Sequence, residues 1–329
     1  VAVVGTTTWG TTLALILARR GIPVRLLARG PEEAATLEDA REHSVRLPGY
    51  PFPESLHATA DWRAGMDGVS AVVFATPSQT LRENARVAEP YLDGSAVVIS
   101  ACKGLEAGTF KRMSVVLSEE LPQSADKVCA LSGPNLAREI VDEKPASTVV
   151  ASENPEAAAR AQQLLNSYSF RVYTNPDVIG TELGGALKNI IAIGAGIIDG
   201  MRLGDNAKAG FLSRGLAEIS RLGVAAGAQA LTFMGNAGLG DLLATCSSTL
   251  SRNHRVGVAL AEGKTLDGAI ADLGGEVAEG VTTTPPTLEM ARAYGVEMPI
   301  TELTYRVLFE GLPPRDALTE AMARVPRPE

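Results

Sequence analysis

The sequence predicts an α/β chain in which a doubly wound parallel sheet is followed by an all-α C-terminal domain. Three observations carry this reading. Short, almost continuous β-branched runs alternate with helical patterns through the first half, as expected of strands covered on both faces. A glycine-rich turn, Gly5-Thr6-Thr7-Thr8-Trp9-Gly10, follows the first run and opens the first helix. Past Asn175-Pro176 the strand-like runs give way to long helical periodicities.

Strands are expected over residues 1–4, 24–28, 69–75, 96–100, 128–131 and 148–151, with a last one over 170–174. Between the first two, an amphipathic helix over 9–20 closes at Gly21, completing a βαβ unit. Helices are expected over 180–199, 207–226, 241–252, 256–262, 284–294 and 302–309. The boundary is set near residue 176, giving a dinucleotide-binding domain over 1–176 and a helical substrate domain over 177–329. The Pro-rich tail over 325–329 is expected to fray.

Composition narrows the function classes. The 329 residues suit two domains at roughly 150 residues each. A net charge of −8 without a basic run argues against nucleic acid or an anionic membrane as partner. The three histidines (His43, His57, His254) and three cysteines (Cys102, Cys129, Cys246) are scattered, so no metal site is expected. Sparse, odd-numbered cysteines fit a reducing compartment. The longest apolar stretch, 190–198, is too short to span a bilayer, and no signal peptide is visible. A cytoplasmic, metal-free protein is the expectation.

Five groups of residues carry chemistry. The turn Gly5 to Gly10 stands where a Rossmann-type sheet receives a pyrophosphate on a helix N-terminus. Thr7 holds the second glycine's place, where it would crowd the phosphates or offer its hydroxyl as a donor. Arg29 follows the second strand in place of an acidic residue, which tilts the expected cofactor toward NADP over NAD. Polar residues mark three strand ends: Thr76-Pro77-Ser78, Lys103-Gly104 and Ser132-Gly133-Pro134-Asn135, with Lys103 a candidate for an anionic substrate. Lys188 lies in an otherwise apolar helix, where a lysine is expensive unless paired or lining a cleft, and desolvated lysines suit proton transfer. Asp241, Thr245, Ser248 and Arg252 would fall on one stripe of a helix, pairing Asp241 with a lysine and Arg252 with a phosphate. The P-loop-like run over 257–265 has five residues between its glycines and reads as a helix end, and His254, with no partner in view, reads as structural.

Together these residues resemble the bacterial type of NAD(P)-dependent sn-glycerol-3-phosphate dehydrogenase along nearly the whole chain. The resemblance rests on Trp9-Gly10, Cys102-Lys103-Gly104-Leu105, Leu131-Ser132-Gly133-Pro134, Leu187-Lys188-Asn189, Gly240-Asp241-Leu242, Ser251-Arg252-Asn253 and Ala278-Glu279-Gly280. It implies reduction of dihydroxyacetone phosphate to sn-glycerol 3-phosphate for glycerophospholipid synthesis, by a homodimer. It also implies a C-terminal domain similar to that of 6-phosphogluconate dehydrogenase. By that resemblance Lys188 is the proton donor, Asp241 orients it, and Lys103 helps hold the substrate. Ser251, Arg252 and Asn253 bind its phosphate, with Gly133 and Asn135 nearby. Gly5, Thr8, Trp9, Gly10, Arg29, Lys103, Ala137, Arg252, Val277 and Glu279 match positions that contact the dinucleotide. Asn135 and Leu136 depart from the family's usual Ser-Phe. Two other readings stay open: a related reductase of another anionic ketone, and a non-catalytic nucleotide-binding redox sensor.

Overall fold

In the computed structural model residues 1–325 are described, so most of the tail expected to fray lies outside the described residues. The chain forms two compact units, Val1–Lys103 with Lys111–Glu182, and Gly104–Phe110 with Leu183–Glu329. Contacts therefore divide the chain six residues beyond the expected boundary, and they assign a short segment after Lys103 to the helical unit.

The first unit contains strands β1 (Ala2–Val4), β2 (Val24–Leu27), β3 (Glu42–His43), β4 (Leu47–Pro51), β5 (Leu56–Thr59), β6 (Ala71–Phe74), β7 (Val97–Ser100), β8 (Val128–Ser132), β9 (Ala146–Ala151) and β10 (Phe170–Asn175). Its helices are α1 (Thr8–Ala18), α2 (Pro31–Ala40), α3 (Trp62–Met66), α4 (Leu81–Ala88), α5 (Met113–Glu120), α6 (Ala137–Val141) and α7 (Pro155–Leu165). The eight-stranded sheet has the order β10-β9-β8-β7-β6-β1-β2-β5, while β3 and β4 form a separate hairpin. All pairings in the sheet are parallel except β8 with β9. The order reverses between β1 and β6, the switch point where ligands of such sheets bind.

Alternation along each strand explains why both faces are apolar. Val3, Val73 and Ile99 pack with Leu13 and Leu17 of α1, Ile140 of α6 and Leu165 of α7. Val4, Val72, Phe74 and Val98 face the other way, against Leu81 and Ala85 of α4 and Val116 and Leu117 of α5. Each fully buried side chain of this kind stabilises by about 1.5–3 kcal/mol.

The second unit is helical: α8 (Val178–Gly200), whose first turn belongs to the first unit, then α9 (Asp205–Ala225), α10 (Asp241–Ser247), α11 (Arg252–Ala261), α12 (Leu266–Ala271), α13 (Glu279–Tyr294), α14 (Pro299–Phe309) and α15 (Pro314–Ala323). A π-helical turn, Asn236–Gly240, leads into α10. Although α8 is long and apolar enough to cross a membrane, 83% of its most apolar window is buried, as in a core helix. Glycines on both helices let the backbones of α8 and α11 approach: a Cβ on Gly196 of α8 would stand 2.1 Å from the His254 carbonyl oxygen, and one on Gly257 of α11 2.0 Å from that of Ile193.

Two expectations are corrected. The helix expected over 241–252 breaks, because Ser248 is extended and Ser251 caps a new helix by accepting the His254 N–H at 3.3 Å. Asp241 and Arg252 thus lie on different helices, not on one stripe. Strand β5, which the sequence reading omits, extends the sheet beyond β2.

Candidate active site

The turn after β1 forms as its glycines require. Gly5 has φ of +107°, and a Cβ there would lie 2.9 Å from the Ala75 carbonyl oxygen. A Cβ on Gly10 would sit 2.1 Å from the Gly5 carbonyl oxygen, so only glycine lets α1 start this close beneath the turn. Thr7 turns inward: its hydroxyl donates to the Ala75 carbonyl at 2.7 Å and accepts the Gly10 N–H at 3.0 Å. The expectation that this hydroxyl serves a phosphate as donor is corrected, because its proton is held by the β6 end. Trp9 meets Phe170 edge-on at 6.4 Å, and Thr8 begins α1.

Arg29, beyond β2, is paired with a carboxylate. Its Nε and Nη2 each lie 3.2 Å from a Glu33 carboxylate oxygen, and its main-chain N–H donates to the same carboxylate at 3.0 Å. The Thr6 hydroxyl adds a fourth bond at 2.8 Å. Burial pushes the Glu33 carboxyl up, but the bonds from Arg29 and Thr6 together outweigh it and hold the group below its ordinary value. Buried His43 donates from Nε2 to the Thr6 carbonyl at 3.0 Å, tying the β3–β4 hairpin to the turn.

At the ends of β7 and β8, the Lys103 ammonium donates to the Gly133 carbonyl at 2.9 Å. Gly133 has φ of +154° and runs against Thr148, where a Cβ would lie 2.9 Å from Cα. The Asn135 amide donates to the Thr148 hydroxyl at 3.1 Å, and Ala137 starts α6. Lys103, Gly133 and Asn135 therefore form one cluster in the first unit.

In the second unit, α8 carries Lys188 into a buried pocket of polar groups. Its Nζ lies 2.9 Å from Asp241 Oδ1, with the two side chains 6% and 2% exposed. Nζ also donates to the Thr245 hydroxyl, which donates onward to Asp241 Oδ1 at 3.2 Å. Four residues apart on α10, Asp241 and Thr245 share a face. A buried ammonium is tolerable only with such compensation, and removing either charge would strand the other. An ammonium has three N–H donors. Two go to Thr245 and Asp241, leaving the third for another acceptor. Beside this cluster the Cys246 thiol is fully buried, and burial pushes its pKa up to about 12.

Next to Lys188, Asn189 accepts from the Asn253 amide at 3.0 Å, and Asn253 Oδ1 accepts the Gly280 N–H at 2.9 Å. The Asn253 carboxamide thus ties α8, α11 and α13 together. What remains of Asn253 for an anion is its second amide hydrogen and its main-chain N–H in the first turn of α11. Ser251 caps that helix and half-buried Arg252 is its first residue, so a guanidinium and unpaired helix N–H groups share one terminus. Val277 precedes α13 and Glu279 begins it. His254 has a partner after all: its Nε2 lies 2.7 Å from Asp199 Oδ2, which also accepts from Lys208 at 2.6 Å. The P-loop-like run is the end of α11, with Gly263 at φ of +90° past it. Among the described residues no group of three or more potential ligands is placed to hold a metal.

Residues 1–158 match the family described as NAD-dependent glycerol-3-phosphate dehydrogenase N-terminus, and residues 177–319 match its C-terminus. The chain belongs to the NAD-dependent glycerol-3-phosphate dehydrogenase family. It is 50% identical over 325 residues to a glycerol-3-phosphate dehydrogenase [NAD(P)+] of Dehalococcoides mccartyi, covering 98% of this chain and 90% of that one. It is 48% identical over 330 residues to the same-named protein of Thermobifida fusca, covering 100% and 98%. A crystal structure of glycerol-3-phosphate dehydrogenase from Coxiella burnetii superposes with a TM-score of 0.93 at 37% identity, covering 98% of both chains.

Within this glycerol-3-phosphate dehydrogenase family member, three residues of the clusters escaped the sequence reading. Thr245 had only a place on a polar stripe, Asn189 only a place in a motif, and Glu33 none. The first could be found from its i+4 spacing to Asp241. Glu33 lies at the same spacing from Arg29, the signal of a helical ion pair.

Proposed function

We propose that the chain reduces dihydroxyacetone phosphate to sn-glycerol 3-phosphate with NADPH or NADH, and catalyses the reverse reaction. The observation that carries this reading is the buried Lys188–Asp241–Thr245 cluster, in the half of the chain that matches the family's C-terminus. The turn after β1 fits a dinucleotide: two glycine positions that admit no Cβ lie at the switch point of a parallel sheet. Gly5, Thr8, Trp9, Gly10 and Arg29 would hold it from the first unit, with Lys103 and Ala137. Arg252, Val277 and Glu279 would do so from the second. When bound, the reduced nicotinamide supplies a hydride to the carbonyl carbon.

Lys188 then has two tasks. Its third N–H hydrogen-bonds the ketone oxygen, stabilises the negative charge that builds there, and gives up the proton. Asp241 and Thr245 fix the direction of the ammonium and compensate its charge. Arg252, Ser251 and Asn253 hold the substrate phosphate at the N-terminus of α11, which positions a small molecule by remote binding energy. Lys103, Gly133 and Asn135 complete the proposed substrate contacts. Supply of glycerophospholipid precursor, a cytoplasmic location and pairing of two copies follow from the family resemblance.

The test is loss of the reduced nicotinamide's absorbance with dihydroxyacetone phosphate. Wild type should turn over, and Lys188→Ala should lower kcat by about 10²–10⁴ while dinucleotide binding persists. Unchanged kcat in that variant would remove Lys188 as the proton donor.

A further inference from the structure

We infer that Glu33 sets the balance between NADH and NADPH in this chain. The inference rests on the reading of the β1–β2 region as the dinucleotide site and names the residue that tunes its adenosine end. Arg29 stands where a guanidinium would meet a 2′-phosphate, yet Glu33 already engages two of its N–H groups in a bidentate pair. Three of its five donors remain. The pair lies at the surface, with Arg29 78% and Glu33 20% exposed, so a ligand can reach the guanidinium while the carboxylate stays in place.

Glu33 cannot easily swing aside. Its two oxygens accept from the Arg29 main chain, the Arg29 guanidinium and the Thr6 hydroxyl. If it swung out to solvent, all four of these bonds would have to be remade elsewhere. A phosphate monoester carries roughly −1.5 to −2 charges near neutral pH. A 2′-phosphate on Arg29 therefore meets a fixed carboxylate on the same cation, and like charges at that range repel. An unphosphorylated ribose meets the opposite situation, because a carboxylate beyond β2 is an acceptor for a 2′-hydroxyl. One side chain thus penalises NADPH and favours NADH, while Arg29 works the other way. His43, on the hairpin, feels the charges of both Glu33 and Arg29, and burial holds its pKa below the ordinary value.

Glu33→Gln keeps the shape and removes the charge. The ratio of kcat/KM for NADPH to that for NADH should rise on the order of tenfold. Adenosine 2′,5′-bisphosphate, measured by calorimetry on the full chain, should bind Glu33→Gln more tightly than wild type, whereas AMP should not. If Glu33 merely caps α2 and anchors Thr6, both dinucleotides and both fragments weaken together, and that parallel loss overturns the inference. An unchanged ratio overturns it equally. Should Glu33→Gln fail to fold, Glu33→Ala carries the same test: the NADPH to NADH ratio must rise, and a constant or falling ratio sinks the idea. Wild type that turns over neither dinucleotide would refute the reductase reading instead, and the fragment binding would still decide the role of Glu33.

Discussion

Thr7 shows how one side chain decides the character of a turn. The sequence places it where a glycine is usual, and both readings of it there have the side chain facing the ligand. Its hydroxyl instead closes on Ala75 and Gly10, fastening the start of α1 to the end of β6. Replacing Thr7 with Ala removes an N-cap and should cost about 1 kcal/mol of stability, read from denaturant midpoints. Replacing it with Gly should not tighten NADH binding, since the Thr7 hydroxyl is already committed to Ala75 and Gly10; tighter binding would restore the crowding argument. At this scale residue identities were legible, and so was the Lys188–Asp241 pair, whereas Thr245 as a partner of Lys188 and Glu33 as a partner of Arg29 were not. Lys188 was conspicuous because a cation in an apolar helix demands compensation. Its partners lie 53 and 57 residues away, on a helix whose end depended on a cap. Glu33 escaped for a different reason: Arg29 beyond β2 reads first as a phosphate ligand, and its i+4 carboxylate goes unnoticed beside that reading.

The elements that came through best from the sequence are those with the longest uninterrupted pattern. The central strands and α8 are legible because burial on all sides writes apolar runs. Strand β5 is not, since Leu56 is its one fully buried residue and the strand lies at the sheet edge. Crossing helices hold a less legible constraint. Gly257 lies inside α11, where alanine would ordinarily gain up to about 1 kcal/mol over glycine. Packing reverses that sign: the added Cβ meets the Ile193 carbonyl oxygen at 2.0 Å. Gly257→Ala should destabilise by about 2–3 kcal/mol. Gly210, in α9 with nothing within 4 Å of a Cβ, serves as the control. Gly210→Ala should stabilise by about 0.5–1 kcal/mol. Thermal melts that shift the same way for both would refute the crossing argument.

Across the whole molecule, carboxylates give stability a predictable pH profile. Glu33, Glu38 and Asp199 are each pushed up by burial, yet their hydrogen bonds and cationic neighbours together hold them below their ordinary values of 4.5, 4.5 and 3.8. A lowered folded pKa means the unfolded chain binds more protons, so this stabilisation is present above those values and is lost as pH falls through the folded ones. Glu218 runs the other way. Burial raises it above 4.5, although it accepts from Ile300, Thr301 and the Thr301 hydroxyl at the start of α14. Its contribution is complete below 4.5 and erodes as pH rises through its folded value. Urea midpoints should therefore drop on acidification below about pH 4.5, and Glu218→Gln should flatten the opposing slope at higher pH. Midpoints that rise steadily toward pH 3 would contradict this balance.

The two buried thiols have a consequence of a different kind. Cys129 belongs to the first unit and Cys246 to the second, and burial pushes them up to about 11 and about 12. A thiol held protonated and sealed does not react with alkylating reagents or peroxide. Half-buried Cys102 is the third. Each unit thus carries its own internal witness: a thiol that stays silent while its half of the chain is intact and becomes reactive when that half opens.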